Sequence, residues 1–172
     1  MRFLLGVAGL GLLAACGGDS SAPQEPAYPA VAGTYAISGG FDGLTPQQAN
    51  FSGTVTLAQP SRENPGLTGT FNVTASVNGD VFLVAGPAQG ATVSTTGVLS
   101  FAVADAATQW TFSGTMSGTS ASGRHTLTDG SDAVSGNWSM QRTGNLVASR
   151  PAAVPVRDIA GLKAALNRET SR

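Results

Sequence analysis

The sequence predicts an all-β fold, an antiparallel up-and-down meander of about eight strands that closes into a small barrel, followed by a short C-terminal helix. Between residues 31 and 147, apolar and polar residues alternate with period two, which puts one face of each strand on a core. Turn-forming residues separate these stretches by distances too short for the crossovers that parallel pairing needs. Near the C terminus the apolar spacing becomes helical.

The clearest strands place apolar residues or glycine at every second position and hydroxyl or amide residues between them. The segment 51–57, with the sequence FSGTVTL, shows this pattern best. Eight strands are expected on this basis: 34–38, 51–57, 67–74, 81–85, 98–103, 110–117, 124–128 and 134–141.

Turn signals join these segments. Asn78-Gly79 is the strongest, because a two-residue type I′ turn needs positive φ at both central positions and Asn-Gly tolerates it. Further breakers are 60–65, 86–87, 105–108 and 129–132.

A short motif recurs in which a glycine shares its strand face with a large apolar residue. Glycine inside a strand lets a neighbouring backbone approach closely and lets the sheet curl. We therefore expect these glycines to be closure points of a barrel, and a two-sheet β-sandwich with the same alternation remains the alternative. The glycines are Gly33, Gly53, Gly69, Gly114 and Gly136.

The tail 148–172 is basic and ends in a predicted amphipathic helix. Ile159, Leu162 and Leu166 have helical spacing, and Pro155 precedes them. The tail has five basic and two acidic residues, a net charge of +3, whereas 31–147 has three basic and six acidic residues, a net charge of −3. The helix is expected to dock on the barrel; lying on an anionic membrane or reaching a partner are the alternatives.

The N terminus has the layout of a secretory signal peptide over residues 1–15. Arg2 precedes an apolar stretch that is too short to span a bilayer, and small residues lead to a cysteine. The run Leu13-Ala14-Ala15-Cys16 resembles the lipobox of bacterial lipoproteins. This resemblance implies cleavage before Cys16, a diacylglycerol thioether on its sulfur and an acyl chain on its new amino group.

Two or three acyl chains make membrane attachment lasting, because a single chain gives only marginal binding. The lipoprotein resemblance therefore implies a lipid-anchored protein of the bacterial cell envelope. In such proteins an Asp directly after the lipid cysteine favours the inner membrane; here Gly17 follows, so the outer membrane is the expected location. Residues 16–30, rich in Gly, Ser and Pro, are expected to form a lipidated flexible tether to the barrel domain, 31–147.

No catalytic, cofactor or metal site is predicted. His125 is the only histidine and Cys16 the only cysteine, so a local catalytic triad or a nitrogen-rich metal site cannot be assembled. The segment 129–132 is interpreted as a turn rather than a calcium loop, because it lacks the distal acidic ligand. Charged residues make up 11% of the chain and the net charge is −1, which argues against nucleic acid as a partner.

One further resemblance concerns the barrel. Gly33-Thr34-Tyr35 near its start and Arg142 in its last strand are similar to the calycin arrangement of lipocalins and avidins, in which a late arginine covers the aromatic residue of the opening strand. Tyr35 stands where that family usually has Trp. The resemblance implies an apolar pocket for a small ligand.

These observations predict a membrane-anchored lipoprotein that acts as a non-catalytic binding or envelope-structural module. Its partners are expected to be the membrane, through the lipid anchor, and an envelope protein or a small apolar ligand. The alternative is a calycin-like carrier of a small apolar ligand. A third hypothesis is an enzyme that uses His125 with an acid brought near by folding.

Overall fold

The computed structural model describes residues 27–144 and 158–171. It confirms the antiparallel up-and-down meander with a short C-terminal helix. The predicted signal peptide, the lipid attachment at Cys16 and the segment 145–157 lie outside the described residues. The elements are β1 (Gly33–Gly40), β2 (Ala49–Ala58), β3 (Thr68–Val77), β4 (Asp80–Pro87), β5 (Gln89–Val93), β6 (Val98–Ala104), β7 (Gln109–Ser117), β8 (Ser120–Thr128), β9 (Ala133–Gly144) and α1 (Ile159–Thr170).

All nine strands belong to one sheet, in the order β4-β3-β2-β1-β9-β8-β7-β6-β5. Every pairing is antiparallel, and β9 lies between β1 and β8. The β-sandwich alternative is therefore wrong, because a sandwich needs two separate sheets. The sheet instead curls into a half-barrel with the apolar side chains on its inner face.

The two edges of the sheet, β4 and β5, follow each other in the chain and meet near one end of the barrel. The Leu67 amide donates to the Ala91 carbonyl at 2.8 Å, and the Val93 amide donates to the Pro65 carbonyl at 2.9 Å. The stretch before β3 therefore holds β5 beside it. The sequence prediction missed β5, since Gly90, at φ 56°, interrupts a strand of only five residues.

The glycine repeat permits the curl. A Cβ at Gly136 would lie 1.9 Å from the Gly40 carbonyl oxygen, and a Cβ at Gly69 would lie 2.1 Å from that of Thr56. Side chains are excluded at such distances, so the neighbouring backbones come this close only because both positions are glycine. All five glycines of the repeat have a neighbouring atom within 3.0 Å of such a Cβ.

The predicted hairpin turn at Asn78-Gly79 is confirmed. Asn78 has φ 49° and Gly79 has φ 92°, the two positive values that a type I′ turn requires. Val77 and Asp80 are paired across it, so the turn has two residues and fixes the register of β3 against β4.

The barrel has two distinct ends, and the chain enters at one of them. The arm end comprises the N-terminal arm, residues 28–32, the loop 59–67 and the turns 94–97 and 118–119. The helix end comprises the loop 41–48, the turns 78–79, 105–108 and 129–132, and α1.

Helix α1 docks on the barrel, as the sequence predicts. Its side chains Ile159, Leu162 and Leu166 are fully buried, and Gly161 lies against the ring of Phe82 in β4. Lys163 is also buried, and its Nζ donates to Asn167 Oδ1 at 2.6 Å and lies 3.8 Å from Asp129 Oδ2. This ion pair joins the basic tail to the acidic barrel at the turn between β8 and β9.

Candidate functional site

The sole histidine lies inside the barrel, in a cluster with Trp110. The Trp110 Nε1–H donates to His125 Nδ1 at 3.0 Å, and His125 Nε2 lies 2.9 Å from the Gly40 carbonyl oxygen. Because the indole can only donate, Nδ1 is the acceptor and Nε2 carries the proton that bonds Gly40. These two hydrogen bonds fix one neutral tautomer of a side chain that is 1% exposed.

Burial keeps His125 uncharged at neutral pH. It lowers the pKa of the imidazole from 6.5 to about 4, although the Gly40 carbonyl and the Asp42 carboxylate favour the charged form; the nearby Arg124 disfavours it slightly. Both ring nitrogens are occupied, so the imidazole can take up a proton only by losing the Trp110 hydrogen bond. This arrangement suits a structural role better than general-base catalysis.

Aromatic rings fill the space around this cluster. Phe51 meets Trp110 edge-on with ring centroids 4.9 Å apart, and Phe101 stacks on Phe112 at 4.9 Å. The rings of these strands touch one another in a continuous network. It comprises Phe41, Phe51, Phe71, Phe101, Trp110, Phe112 and Trp138. The volume in which a calycin-like carrier would hold its ligand is therefore occupied by side chains.

Tyr35 and Arg142 form a second polar cluster, near the arm end. They are paired residues of β1 and β9, and the guanidinium carbon lies 5.4 Å from the centre of the Tyr35 ring. Arg142 Nη2 donates to the Tyr35 hydroxyl oxygen at 2.9 Å, and that hydroxyl donates to the Val31 carbonyl at 2.7 Å. The contact expected from the calycin resemblance is thus present, whereas the expected interior space is filled.

An exposed ion pair lies outside the His125 cluster at the helix end. Arg124 binds both carboxylate oxygens of Asp42, and it also donates to Asn137 Oδ1 at 3.1 Å. The hydrogen bond from Arg124 lowers the pKa of Asp42. Both side chains are about half exposed, so the pair is a surface feature.

The acidic turn at 129–132 is held by hydrogen bonds within the turn. Asp129 Oδ1 accepts bonds from the amides of Ser131 and Asp132 and from the Ser131 hydroxyl. These bonds lower the pKa of Asp129 to about 2. Across residues 27–144 and 158–171, no group of three or more potential metal ligands converges here or elsewhere. The turn interpretation accounts for this segment.

The outer face carries an open depression of about 720 Å³ that the sequence analysis did not single out. Its lining is mainly hydroxyl side chains brought into register across strands, as Ser38 is paired with both Ser52 and Ser139. None of the described residues that line it is charged. In the sequence, the polar positions of the alternating pattern indicate the side chains that face outward. Only the register of the strands shows that these side chains lie next to one another. Its hydroxyl residues are Ser38, Ser52, Thr115, Ser117, Ser120, Ser122 and Ser139.

Comparison with known proteins adds no identification. No protein-family model matches the chain, and no curated protein matches it. In the part of the chain that the structure describes, no helix has the length and apolarity required to cross a bilayer.

Proposed function

We propose that this protein is a non-catalytic module of the bacterial cell envelope, anchored by lipid on Cys16, that binds or braces a partner through its outer face. The observation that carries the proposal is the filled interior of the half-barrel: aromatic rings occupy it, and its one histidine is neutral and bonded at both ring nitrogens. Because side chains fill the interior, the outer surface is the part of the protein that a partner can contact.

The hydroxyl-lined depression is the part of that surface best suited to a partner. Its serine and threonine side chains both donate and accept hydrogen bonds, and its described lining residues are all uncharged. A neutral, hydrogen-bonding surface of another envelope protein matches this chemistry. The outer membrane remains the proposed location, from the lipobox resemblance.

A calycin-like carrier is the second candidate, favoured by the contact between Tyr35 and Arg142. It requires an apolar ligand to displace rings from the interior. Native mass spectrometry of protein extracted from envelopes tests it directly. A retained small ligand, at one per chain, would favour the carrier over the sealed module.

Lipid anchoring is tested by metabolic labelling with an alkyne fatty acid and cell fractionation. The full chain is expected to take up label and to sediment with membranes, and Cys16→Ser is expected to lose both, because the thioether needs the thiol. Ser20→Ala, four residues away, is the matched control and is expected to behave as wild type. Unchanged membrane association of Cys16→Ser would overturn the anchor.

The outer-face proposal is tested in cells with a photoreactive residue at Ser139, in the depression. Asn72, an exposed residue of β3 on the same outer face but outside the depression, is the control position. An adduct with a discrete envelope protein is expected from Ser139 and not from Asn72. Equal adducts from both positions, or none from Ser139, would contradict a partner in the depression.

A further inference from the structure

We propose that the arm end of the barrel faces the bilayer and makes contact with its lipid headgroups, while the helix end points away from it. This inference rests on the proposed lipid anchor at Cys16. It adds an orientation and a membrane-contact surface, neither of which the anchor alone specifies.

The chain enters the barrel along a fixed path at the arm end. The Tyr28 amide donates to the Arg62 carbonyl, and Arg62 Nε donates back to the Tyr28 carbonyl, both at 2.8 Å. The Val31 amide donates to Gln59 Oε1 at 3.0 Å, and Arg142 Nη2 donates to the Ala30 carbonyl at 3.1 Å. The arm therefore cannot swing freely to the other end.

The length of chain before the arm limits how far this end can lie from the lipid. Residues 17–26 separate Cys16 from Ala27, where the described structure begins. Even fully extended, these steps reach roughly 35–40 Å, and unstructured chain spans less. The helix end lies a further strand length away, so the anchor favours the arm end as the face nearest the bilayer.

A small patch of apolar and hydroxyl side chains lies beside the arm. Tyr28, Pro65 and Val98 line an open depression of about 480 Å³, with Val98 44% exposed and Val93 buried beneath it. The hydroxyl residues of its lining are Thr92, Ser94, Thr95 and Ser100. Aliphatic side chains and a tyrosine ring suit the boundary between headgroups and acyl chains, where an apolar body and a polar tip are both solvated.

The charged side chains of the described residues are distributed unevenly between the two ends, and this distribution also favours an arm end that faces the bilayer. The helix end has seven acidic and three basic side chains, a net charge of −4, whereas the arm end has two basic and one acidic, a net charge of +1. Anionic headgroups repel the negatively charged helix end and do not repel the arm end. The helix end carries Asp42, Asp80, Asp105, Asp129, Asp132, Asp158 and Glu169 with Arg124, Lys163 and Arg168; the arm end carries Arg62, Arg142 and Glu63.

Two other exposed apolar side chains offer a competing contact. Val81 and Leu83 lie on the outer face of β4, 67% and 46% exposed. They stand next to Asp80, toward the acidic helix end, so an anionic surface disfavours them. They provide a matched control rather than a rival site.

The experiment compares two reporter positions at opposite ends of β6, each attached to a thiol in the lipidated full-length protein. Thr95→Cys lies in the turn at the arm end and Ala106→Cys in the turn at the helix end, and both native side chains are exposed. An environment-sensitive fluorophore at each is exposed to nitroxide-headgroup lipid in vesicles of phosphatidylethanolamine and phosphatidylglycerol. We expect quenching at Thr95→Cys to exceed that at Ala106→Cys by a factor of about two or more.

A charge variant separates the patch from the anchor. Val98→Glu is expected to abolish most of the excess quenching at Thr95→Cys, and Leu83→Glu, on β4, is expected to leave it unchanged. Equal quenching at both reporters, stronger quenching at Ala106→Cys, or an effect of Leu83→Glu as large as that of Val98→Glu would overturn the orientation.

Failure of the anchor is recognised separately. An acylated Cys16 cannot react with the fluorophore, so labelling of the chain without an added cysteine, together with failure to float with vesicles, would reject lipid attachment. Flotation with equal quenching at the two reporters would reject the orientation alone.

Discussion

Two clusters each join an aromatic side chain to a basic one. In one cluster the basic side chain is a neutral imidazole, and in the other it is a guanidinium cation. Near the helix end, His125 is 1% exposed and uncharged, with Trp110 and Gly40 bonded to its two nitrogens. Near the arm end, the guanidinium of Arg142 is only partly buried, and its Nε has no hydrogen-bond partner among the described residues.

The difference shows which state of a basic side chain the surroundings of each cluster can accommodate. Inside the aromatic network, where no carboxylate of the described residues hydrogen-bonds to it, a base is accepted only if it stays neutral and both of its polar atoms are bonded. A permanent cation is accepted where the arm end leaves its guanidinium partly in water and an aromatic ring lies beneath it. The His125 cluster should therefore respond to acid and to added volume, whereas the Arg142 cluster should respond to loss of hydrogen bonds.

The largest expected effect comes from adding one methyl group beside His125. In Gly136→Ala the new Cβ would lie 1.9 Å from the Gly40 carbonyl oxygen and 2.6 Å from His125 Nε2, so strands β1, β8 and β9 must separate. We expect a loss of about 3 kcal/mol or more in the free energy of unfolding, measured by urea denaturation.

Gly144→Ala is the matched control for that variant. It lies at the end of the same strand, and a Cβ there would meet no atom within 4 Å. Its free energy of unfolding is expected to stay close to that of wild type. A similar small effect for Gly136→Ala would show that the strands are not packed as closely there as described.

The second effect is acid sensitivity from His125. Its pKa is about 4 in the folded protein and 6.5 when unfolded, so the unfolded chain binds the proton first. The contribution of His125 to the free energy of unfolding is therefore fully present above pH 6.5, decreases as the pH falls toward 4 and stays constant below pH 4. The loss amounts to about 3 kcal/mol across that window.

The check is urea denaturation at a series of pH values, with His125→Phe as the control. That variant keeps an aromatic ring, somewhat larger than imidazole, but leaves the Trp110 N–H and the Gly40 carbonyl unbonded, so it is less stable at neutral pH. Its stability should no longer fall between pH 6.5 and pH 4. The depressed pKa of Asp129 acts at lower pH, below its ordinary value of 3.8, and is thereby separated. A persistent fall in the variant would assign the effect elsewhere.

A smaller effect is expected at the arm end. Tyr35→Phe removes the hydroxyl that donates to Val31 and accepts from Arg142. We expect a loss of about 1–2 kcal/mol in the free energy of unfolding, with no added dependence on pH between 4 and 6.5. Hydrogen exchange should accelerate at the amides of Tyr28 and Val31, because the arm loses one of its attachments. Unchanged exchange would show that Arg62 and Gln59 hold the arm without Tyr35.

The smallest effect is expected at the exposed pair. Arg124→Gln removes the partner of Asp42, yet both side chains are about half in water. The melting temperature is expected to stay within the error of the measurement, because solvent already screens the pair. A clear loss at low salt that disappears at high salt would show that the pair contributes more than its exposure suggests.

The sequence predicted those parts of the fold that depend on local pattern. Alternation identified the strands other than β5, and Asn78-Gly79 identified its turn, because both follow from the geometry of a few consecutive residues. β5 was missed because Gly90 interrupts its five residues and because, besides its pairing with β6, it depends on hydrogen bonds with Pro65 and Leu67, more than twenty residues away.

The candidate sites divide in the same way. The approach of Arg142 to Tyr35 was expected from a resemblance, but the pairing of His125 with Trp110 was not, since it depends on the register of β7 against β8. The hydroxyl-lined depression likewise requires the registers of several strand pairs together. No local pattern carries that information.

The position of β9 has a consequence for how the chain is made. Among the described strands, β9 is the last in the chain; it lies between β1 and β8, and of these strands it alone joins the first four to the later ones on that side of the sheet. While a growing chain still lacks residues 133–144, two incomplete sheets each present an unpaired edge. A chain with this topology is therefore expected to complete its sheet only when its final strand becomes available.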